Sequence, residues 1–333
     1  MHLRDVVIVG AGPAGLATAI AAARSGLDYQ VIEKGALVNS LLHYPIEMVF
    51  FTTPELMEIG GMPFVSPYDK PTRLEALRYY RRVSDTYKLD IQFDEAVTAI
   101  ARDPALPDAT GSFVIDTQTA RGVRRSVHAR LVVIATGAYD IPNRINVPGE
   151  DLPHVSHYYT QPHPFFRKRV VIVGGKNSAA EAALDLYRAG ANVTMIHRRP
   201  ALGDSIKYWV KPDIENRIKE SSIAARFDTT VLEIRPTTVL VERGSVREEI
   251  PTDAVFLLTG YSSDNTLLRA AGVDIDPATC GPVFNADTFE TNVPGIYVAG
   301  AVIAGIQSGK IFIENGRFHG ERVIESVVDR LHA

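Results

Sequence analysis

Residues 5–34, DVVIVGAGPAGLATAIAAARSGLDYQVIEK, decide the reading of this chain, because residues 169–198, RVVIVGGKNSAAEAALDLYRAGANVTMIHR, can be laid on them at one constant offset without a gap. Each copy runs an apolar strand, a Gly-rich turn, an Ala-rich helix, a Gly stop and a second apolar strand. Runs such as Val6–Val9 and Val170–Val173 are continuously apolar, as strands of a parallel sheet covered on both faces must be. Gly26 and Gly190 fall where each helix should stop, since glycine accepts the positive φ of a helix end. A repeat of this kind predicts two βαβ units, hence an α/β fold with two Rossmann-like dinucleotide-binding domains.

The bulk numbers agree with such a chain. At 333 residues there is room for two domains with separate cores, and 46% hydrophobic with 22% charged residues is ordinary for a globular protein. A formal charge of −4 and a pI near 6.2 supply no basic field for a phosphate backbone or an anionic membrane, which argues against nucleic-acid partners. No apolar run reaches the ~18–20 residues of a membrane span, and a strand-like segment starts at Asp5 with no signal-peptide core before it, so a cytoplasmic enzyme is expected. The single cysteine, Cys280 in the turn-like DPATCGPVF, rules out an intrachain disulfide and any C-x-x-C centre. No Cys/His/Asp spacing repeats a metal-ligand pattern.

Between the repeats lies an apolar-rich stretch from Leu37 to Pro67, then KPTRLEALRYYRRVSDTY (70–87), a helix opened by Thr72. RLVVIATGAYDIPNRINVPGED (130–151) reads as a strand, a Gly turn and a Pro-rich connection suited to a hinge. A similar run, NVPGIYVAGAVIAGIQSGK (292–310), stands near the C-terminus. The first domain is therefore expected to be discontinuous, residues 1–145 with 285–333, and the second to span 150–284, with hinges near Gly149 and Phe284.

The two turns differ in chemistry. Gly10-Ala-Gly12-Pro13-Ala14-Gly15 satisfies G-x-G-x-x-G between strand and helix. Gly10 permits the tight turn, Gly12 lets the backbone approach a pyrophosphate, and Gly15 lets helix and strand pack closely. The pyrophosphate is expected on the helix N-terminus, where free N–H groups and the dipole favour anions. Glu33, eighteen residues past Gly15, is placed to accept hydrogen bonds from a ribose 2′-OH. The second turn, Gly174-Gly175-Lys176-Asn177-Ser178-Ala179, puts Lys176 in place of Gly12 and Ala179 in place of Gly15. His197, followed by Arg198 and Arg199, takes the place of Glu33. A carboxylate there would repel a 2′-phosphate whereas His and two Arg attract it, so the second site is read as built for NADPH rather than NADH. Two such sites imply a flavin that receives hydride from a nicotinamide.

GAGPAG, ATGAYDIP (135–142), GGKNSAAEAA, TGY (259–261) and TNVPGIYVAGA (291–301) together resemble the thioredoxin-reductase-like two-dinucleotide flavoproteins. Within that group FFTTPELMEIGGMPFV (50–65), KPTRLEALRYYRR, GGKNSA and KIFIENGRFHG (310–320) are similar to the YpdA-type bacillithiol disulfide reductases, and the likeness covers nearly the whole chain. The resemblance implies FAD, NADPH and a homodimeric or homotetrameric assembly. Carried over by motif, Gly10, Gly12, Gly15, Glu33 and Lys34 would bind the ADP part of FAD, and Thr136 and Gly137 would line the flavin domain. Gly174, Gly175, Lys176, Asn177, Ser178, His197, Arg198, Arg199 and Gly260 would serve NADPH. In the C-terminal flavin motif the usual Gly-Asp reads Gly300-Ala301, so backbone amides, or Glu314 and Asn315, must compensate for the missing carboxylate. A helix opening near Ser308 and Lys310 would aim its N-terminus at the flavin.

Two departures bear on the electron acceptor. Where thioredoxin reductases carry C-x-x-C this chain reads SHYYTQPHPF (156–165), and where bacillithiol reductases with a cysteine in the first turn carry it, Ala14 stands. A thiol relay through the enzyme is therefore closed. The reading placed first is reduction of a low-molecular-weight disulfide such as bacillithiol disulfide, by reduced flavin or through a thiol protein. The alternatives are transfer to a carrier protein such as ferredoxin or flavodoxin, monooxygenation, and a flavin-binding sensor. The monooxygenase fingerprint fails at Val147, and His154 stands one residue late relative to Gly149. The His197-Arg198-Arg199 cluster has no use in a sensor. His43, in NSLLHYP, is the candidate flavin neighbour or proton donor, and His157, Tyr158 and Tyr159 fill the place of the lost cysteine pair.

Overall fold

The structure is a computed structural model that describes residues 2–104, 112–307 and 309–332. Its chain divides into two compact units, one made of Met1–Leu42, Met48–Ile141 and Tyr261–Ala333, the other of His43–Glu47 and Pro142–Gly260.

In the first unit the strand Leu3–Val9 pairs in parallel with Tyr29–Ile32 on one side and Arg124–Ile134 on the other. Ile91–Gln92 extends the parallel edge beyond Tyr29–Ile32. The long Arg124–Ile134 strand changes partner along its length: its first half takes Phe113–Thr119 antiparallel, and its last three residues take Ile296–Val298 parallel. Glu95–Arg102 closes the antiparallel edge of this seven-stranded sheet. Val6, Val7 and Ile8 are fully buried, each contributing about 1.5–3 kcal/mol relative to exposure. The helix Pro13–Arg24 lies on the sheet, and Gly320 at the start of the C-terminal helix His319–His332 comes so close that a Cβ there would fall 2.5 Å from the Thr18 nitrogen. The helix Arg73–Tyr87 begins as expected at Thr72, whose side chain accepts the Glu75 N–H while Glu75 accepts the Thr72 N–H.

The second unit carries a five-stranded parallel sheet in the order Ala224–Arg226, Asn192–Ile196, Arg169–Val173, Ala254–Leu257, Val155–Ser156. The helix Asn177–Arg188 covers one face, burying Ala180, Ala183 and Leu186 with Ile172 and Phe256. The antiparallel sheet Thr230–Ile234, Thr238–Arg243, Val246–Pro251 covers the other, with Val231, Val239 and Ile250 against Val171 and Val255. The repeat is thus realised: both helices have twelve residues and both are stopped by a glycine of positive φ, +69° at Gly26 and +85° at Gly190.

The boundaries of the compact units differ from the sequence reading. The chain crosses at residues 141/142 and 260/261 rather than near 149 and 284. Gly149 is wedged inside the second unit, where a Cβ would overlap the Ile234 carbonyl oxygen. Phe284 is set in the first, its ring stacked on Phe289 at 5.7 Å. Residues 261–284 belong to the first unit because Leu268 and Val273 are buried in its core beside Ile100 and Ile115.

Candidate functional site

Each repeat places a Gly-rich turn at the carboxyl end of its first strand. In the first turn Gly10 has φ +106°, and a Cβ on it would lie 2.6 Å from the Ala135 carbonyl oxygen. A Cβ on Gly15 would overlap the Gly10 carbonyl oxygen. A Cβ on Gly12 would meet nothing within 4 Å. Two glycines are therefore demanded by packing, and the third borders open space in front of the helix that starts at Pro13. The phosphate pair of a dinucleotide would need such a cradle in front of a helix start, whose first N–H groups have no partner within the helix. FAD fits this set of residues.

Glu33 is buried, and its two oxygens already hold the turn: Oε2 accepts the Ala11 N–H at 2.7 Å and Oε1 accepts the Gly35 N–H at 2.9 Å. Each carboxylate oxygen can take a second hydrogen bond, which leaves capacity for a ribose hydroxyl. Lys34 pairs with Asp140 at 2.5 Å. Thr136 is half-buried and Gly137, at φ +77°, faces open space. Gly300 stands beside the first turn, since a Cβ on it would fall 2.6 Å from that of Ala14. Ala301 accepts a long hydrogen bond from Ser263 at 3.4 Å.

The expected helix near Lys310 does not form. Ser308 lies outside the described residues, Lys310 is exposed in a turn, and the next helix is the four-residue Ile313–Gly316. Asn315 sets this start by accepting the Phe312 N–H and donating to the Lys310 carbonyl. So short a helix carries little dipole. His43 is exposed, in the 43–47 segment that groups with the second unit, where the Ile46 N–H donates to Thr160 O at 2.8 Å.

In the second turn a Cβ on Gly174 would lie 2.5 Å from the Leu258 carbonyl oxygen, and one on Gly175 would lie 2.5 Å from the His197 ring. The imidazole therefore rests on the turn, which only glycine permits. Lys176 and Ser178 are exposed at the helix start. Burial, then Arg199 and Arg198, hold the His197 pKa below the usual imidazole value. Arg169, Arg188, Arg217, Arg226, Arg235 and Arg247 hold carboxylates. Arg198 and Arg199 are exposed and have no carboxylate partner among the described residues. Uncompensated arginines beside a helix start suit an anionic ligand.

Asn177 is engaged with the chain itself. Its Nδ2 donates to Ser205 O at 3.0 Å and its Oδ1 accepts the Lys207 N–H at 2.9 Å, while the Gly203 N–H donates to Gly175 O at 2.8 Å. These bonds hold the 199–210 loop, with its Tyr208 and Trp209, against the turn. No sequence signal pointed to this loop. Gly260, at φ +97°, accepts the Asn143 N–H at 2.9 Å. Tyr159 packs in the core and donates to Asp185 at 2.5 Å, so the place of the lost cysteine pair is structural at that residue. His157 lies 3.3 Å from the buried Glu150.

Residues 7–300 match the family described as pyridine nucleotide-disulphide oxidoreductase. The chain belongs to this family. It is 40% identical over 331 residues to bacilliredoxin reductase Bdr of Bacillus subtilis, covering 99% of each chain. It is 32% identical over 317 residues to thioredoxin reductase of Treponema pallidum, covering 90% of this chain and 89% of that one. The solved structure of bacillithiol disulfide reductase Bdr (YpdA) from Bacillus cereus superposes with a TM-score of 0.95 at 38% identity, covering 99% of this chain and all of that one. The resemblance read from the sequence is thus borne out, and so is the thioredoxin-reductase-like two-domain fold. This pyridine nucleotide-disulphide oxidoreductase is an enzyme with flavin and nicotinamide chemistry. No helix among the described residues is long and apolar enough to cross a membrane.

Proposed function

We propose that the chain binds FAD in its first unit and NADPH in its second, and that it reduces a low-molecular-weight disulfide such as bacillithiol disulfide, directly or through a thiol protein. The observation that carries the acceptor is likeness along the whole chain to the bacilliredoxin and bacillithiol disulfide reductases. In balance, one NADPH and one proton reduce one disulfide to two thiols and leave NADP⁺. Bound FAD would supply the hydride acceptor and the electron relay.

The chain's own part is binding and orientation. The open floor at Gly12 and the start of the Pro13–Arg24 helix receive the FAD pyrophosphate, with Glu33 toward the ribose. Lys176, Arg198 and Arg199 receive the phosphates of NADPH, and His197 braces the turn and adds charge when protonated. The enzyme contributes no thiol from the first turn, where Ala14 stands. The disulfide would then have to take its electrons from bound flavin directly or through a separate thiol protein. His43 is the candidate proton donor for the leaving thiolate. We further infer a cytoplasmic homodimer or homotetramer.

Anaerobic stopped-flow absorbance tests the reading. Flavin reduced with NADPH is mixed with bacillithiol disulfide, with a ferredoxin and with oxygen in separate runs. Fast reoxidation by the disulfide is expected. Indifference to the disulfide with fast reoxidation by ferredoxin moves the enzyme to the carrier-protein class.

A further inference from the structure

The last helix begins with a histidine that the reading above leaves without a task. His319 is half-buried, and its Nδ1 accepts the Gly300 N–H at 3.1 Å. A ring nitrogen that accepts is unprotonated, so the neutral ring carries its hydrogen on Nε2. Protonation would turn two N–H donors toward each other and break the contact. The environment enforces the neutral form: burial, then Arg322, push the pKa down to about 4.

The ring is held from two sides. Phe289, 5% exposed, packs its ring 4.6 Å from the imidazole and is itself stacked on Phe284. Gly320, the next residue, is seated against the backbone of Ala17 and Thr18 in the first-turn helix. Gly300 needs such a partner. It follows the Ile296–Val298 strand, adopts φ +77°, is buried, and lies against Ala14 of the first Gly-rich turn. Its N–H would otherwise be a buried donor without an acceptor.

We propose that His319 is a positioning residue of the first unit's dinucleotide site, its neutral Nδ1 fixing the Gly300–Ala304 turn against the Gly10–Gly15 turn. This inference rests on the reading of that unit as the FAD site. It explains how the turn is held where the family's Gly-Asp reads Gly300-Ala301. The anchor is the imidazole, which takes the Gly300 N–H and so removes it from the donors left for a ligand.

The test uses full-length protein stripped of flavin and titrated with FAD by flavin fluorescence, together with visible circular dichroism of the reconstituted holoenzyme. His319→Leu is expected to weaken FAD binding about ten-fold or more, equivalent to ~1.4 kcal/mol, and to change the visible dichroism of the flavin. His319→Gln, whose amide oxygen can accept the same N–H, is expected to recover most of both. An unchanged FAD Kd and spectrum in His319→Leu overturns the proposal, as does a glutamine variant as impaired as the leucine one. If His319→Leu does not fold, Phe289→Leu, which removes one wall of the imidazole's seat, takes its place with the same expectations in smaller size, and an unchanged Kd there overturns the proposal too. Wild-type protein that takes up no FAD defeats the reading of the first unit itself, an outcome distinct from a flavin-binding protein indifferent to His319.

Discussion

In the first Gly-rich turn Gly12 borders open space and the acid ending the next strand, Glu33, is buried with both oxygens on backbone N–H groups; in the second the matching places hold the exposed Lys176 and His197, whose ring lies on Gly175. The backbone plan is the same, down to twelve-residue helices and glycine stops. What differs is the charge presented to the ligand and the room in front of the helix. One topology thus provides two turns of different charge and room. A buried acid suits ribose hydroxyls, whereas exposed cations suit a phosphate on that ribose.

The two turns differ most where the first is packed tightest. Gly15→Ala puts a Cβ onto the Gly10 carbonyl oxygen, so the first unit should lose more than ~3 kcal/mol. Ala179→Gly, the mirror change in the second turn, should cost only about 1 kcal/mol through helix propensity. Equal losses in chemical denaturation would mean the two turns do not pack as described. Next in size, Gly12→Val should yield folded protein without visible flavin absorbance, because a Cβ there meets no protein atom within 4 Å and the side chain takes up room in the cradle; retained yellow colour would show that the cradle is misread.

Arg198→Ala with Arg199→Ala should raise the Kd for NADPH about 10- to 100-fold, ~1.4–2.7 kcal/mol, and leave NADH nearly unchanged. An equal loss for both nucleotides would remove the 2′-phosphate argument. The smallest effect is a pH dependence. The His197 pKa is depressed in the free protein, and a bound dianionic phosphate would raise it, so binding takes up a proton. The affinity of the wild type for NADPH, relative to that of His197→Ala, should therefore rise as pH falls from 7.5 through the ordinary imidazole range near 6.5. A ratio independent of pH would place His197 as a brace of the turn alone.

Much of the molecule was legible from local signals. Apolar runs gave the parallel strands, Thr72 and Glu75 the start of a helix, and Gly10, Gly12 and Gly15 their separate jobs. Sequence and structure differ where the deciding contact is distant along the chain. Residues 261–284 group with the first unit rather than the expected second because Leu268 and Val273 sit beside Ile100 and Ile115, more than 150 residues earlier. The expected helix at Lys310 gives way to a turn that Asn315 holds.

Asn177 illustrates the same limit at the site. Its position in GGKNSA matched the family's nucleotide-binding turn, yet its side chain ties down a loop some 28 residues away. Local sequence carries the repeat, the two Gly-rich turns and the charge beside each, because periodicity, glycine and charge act over a few residues. Tertiary structure alone decided where the units are cut, what Asn177 grips and that a histidine at 319 meets the N–H of Gly300. Those are contacts between segments that only the packed core brings together, and no local pattern encodes them.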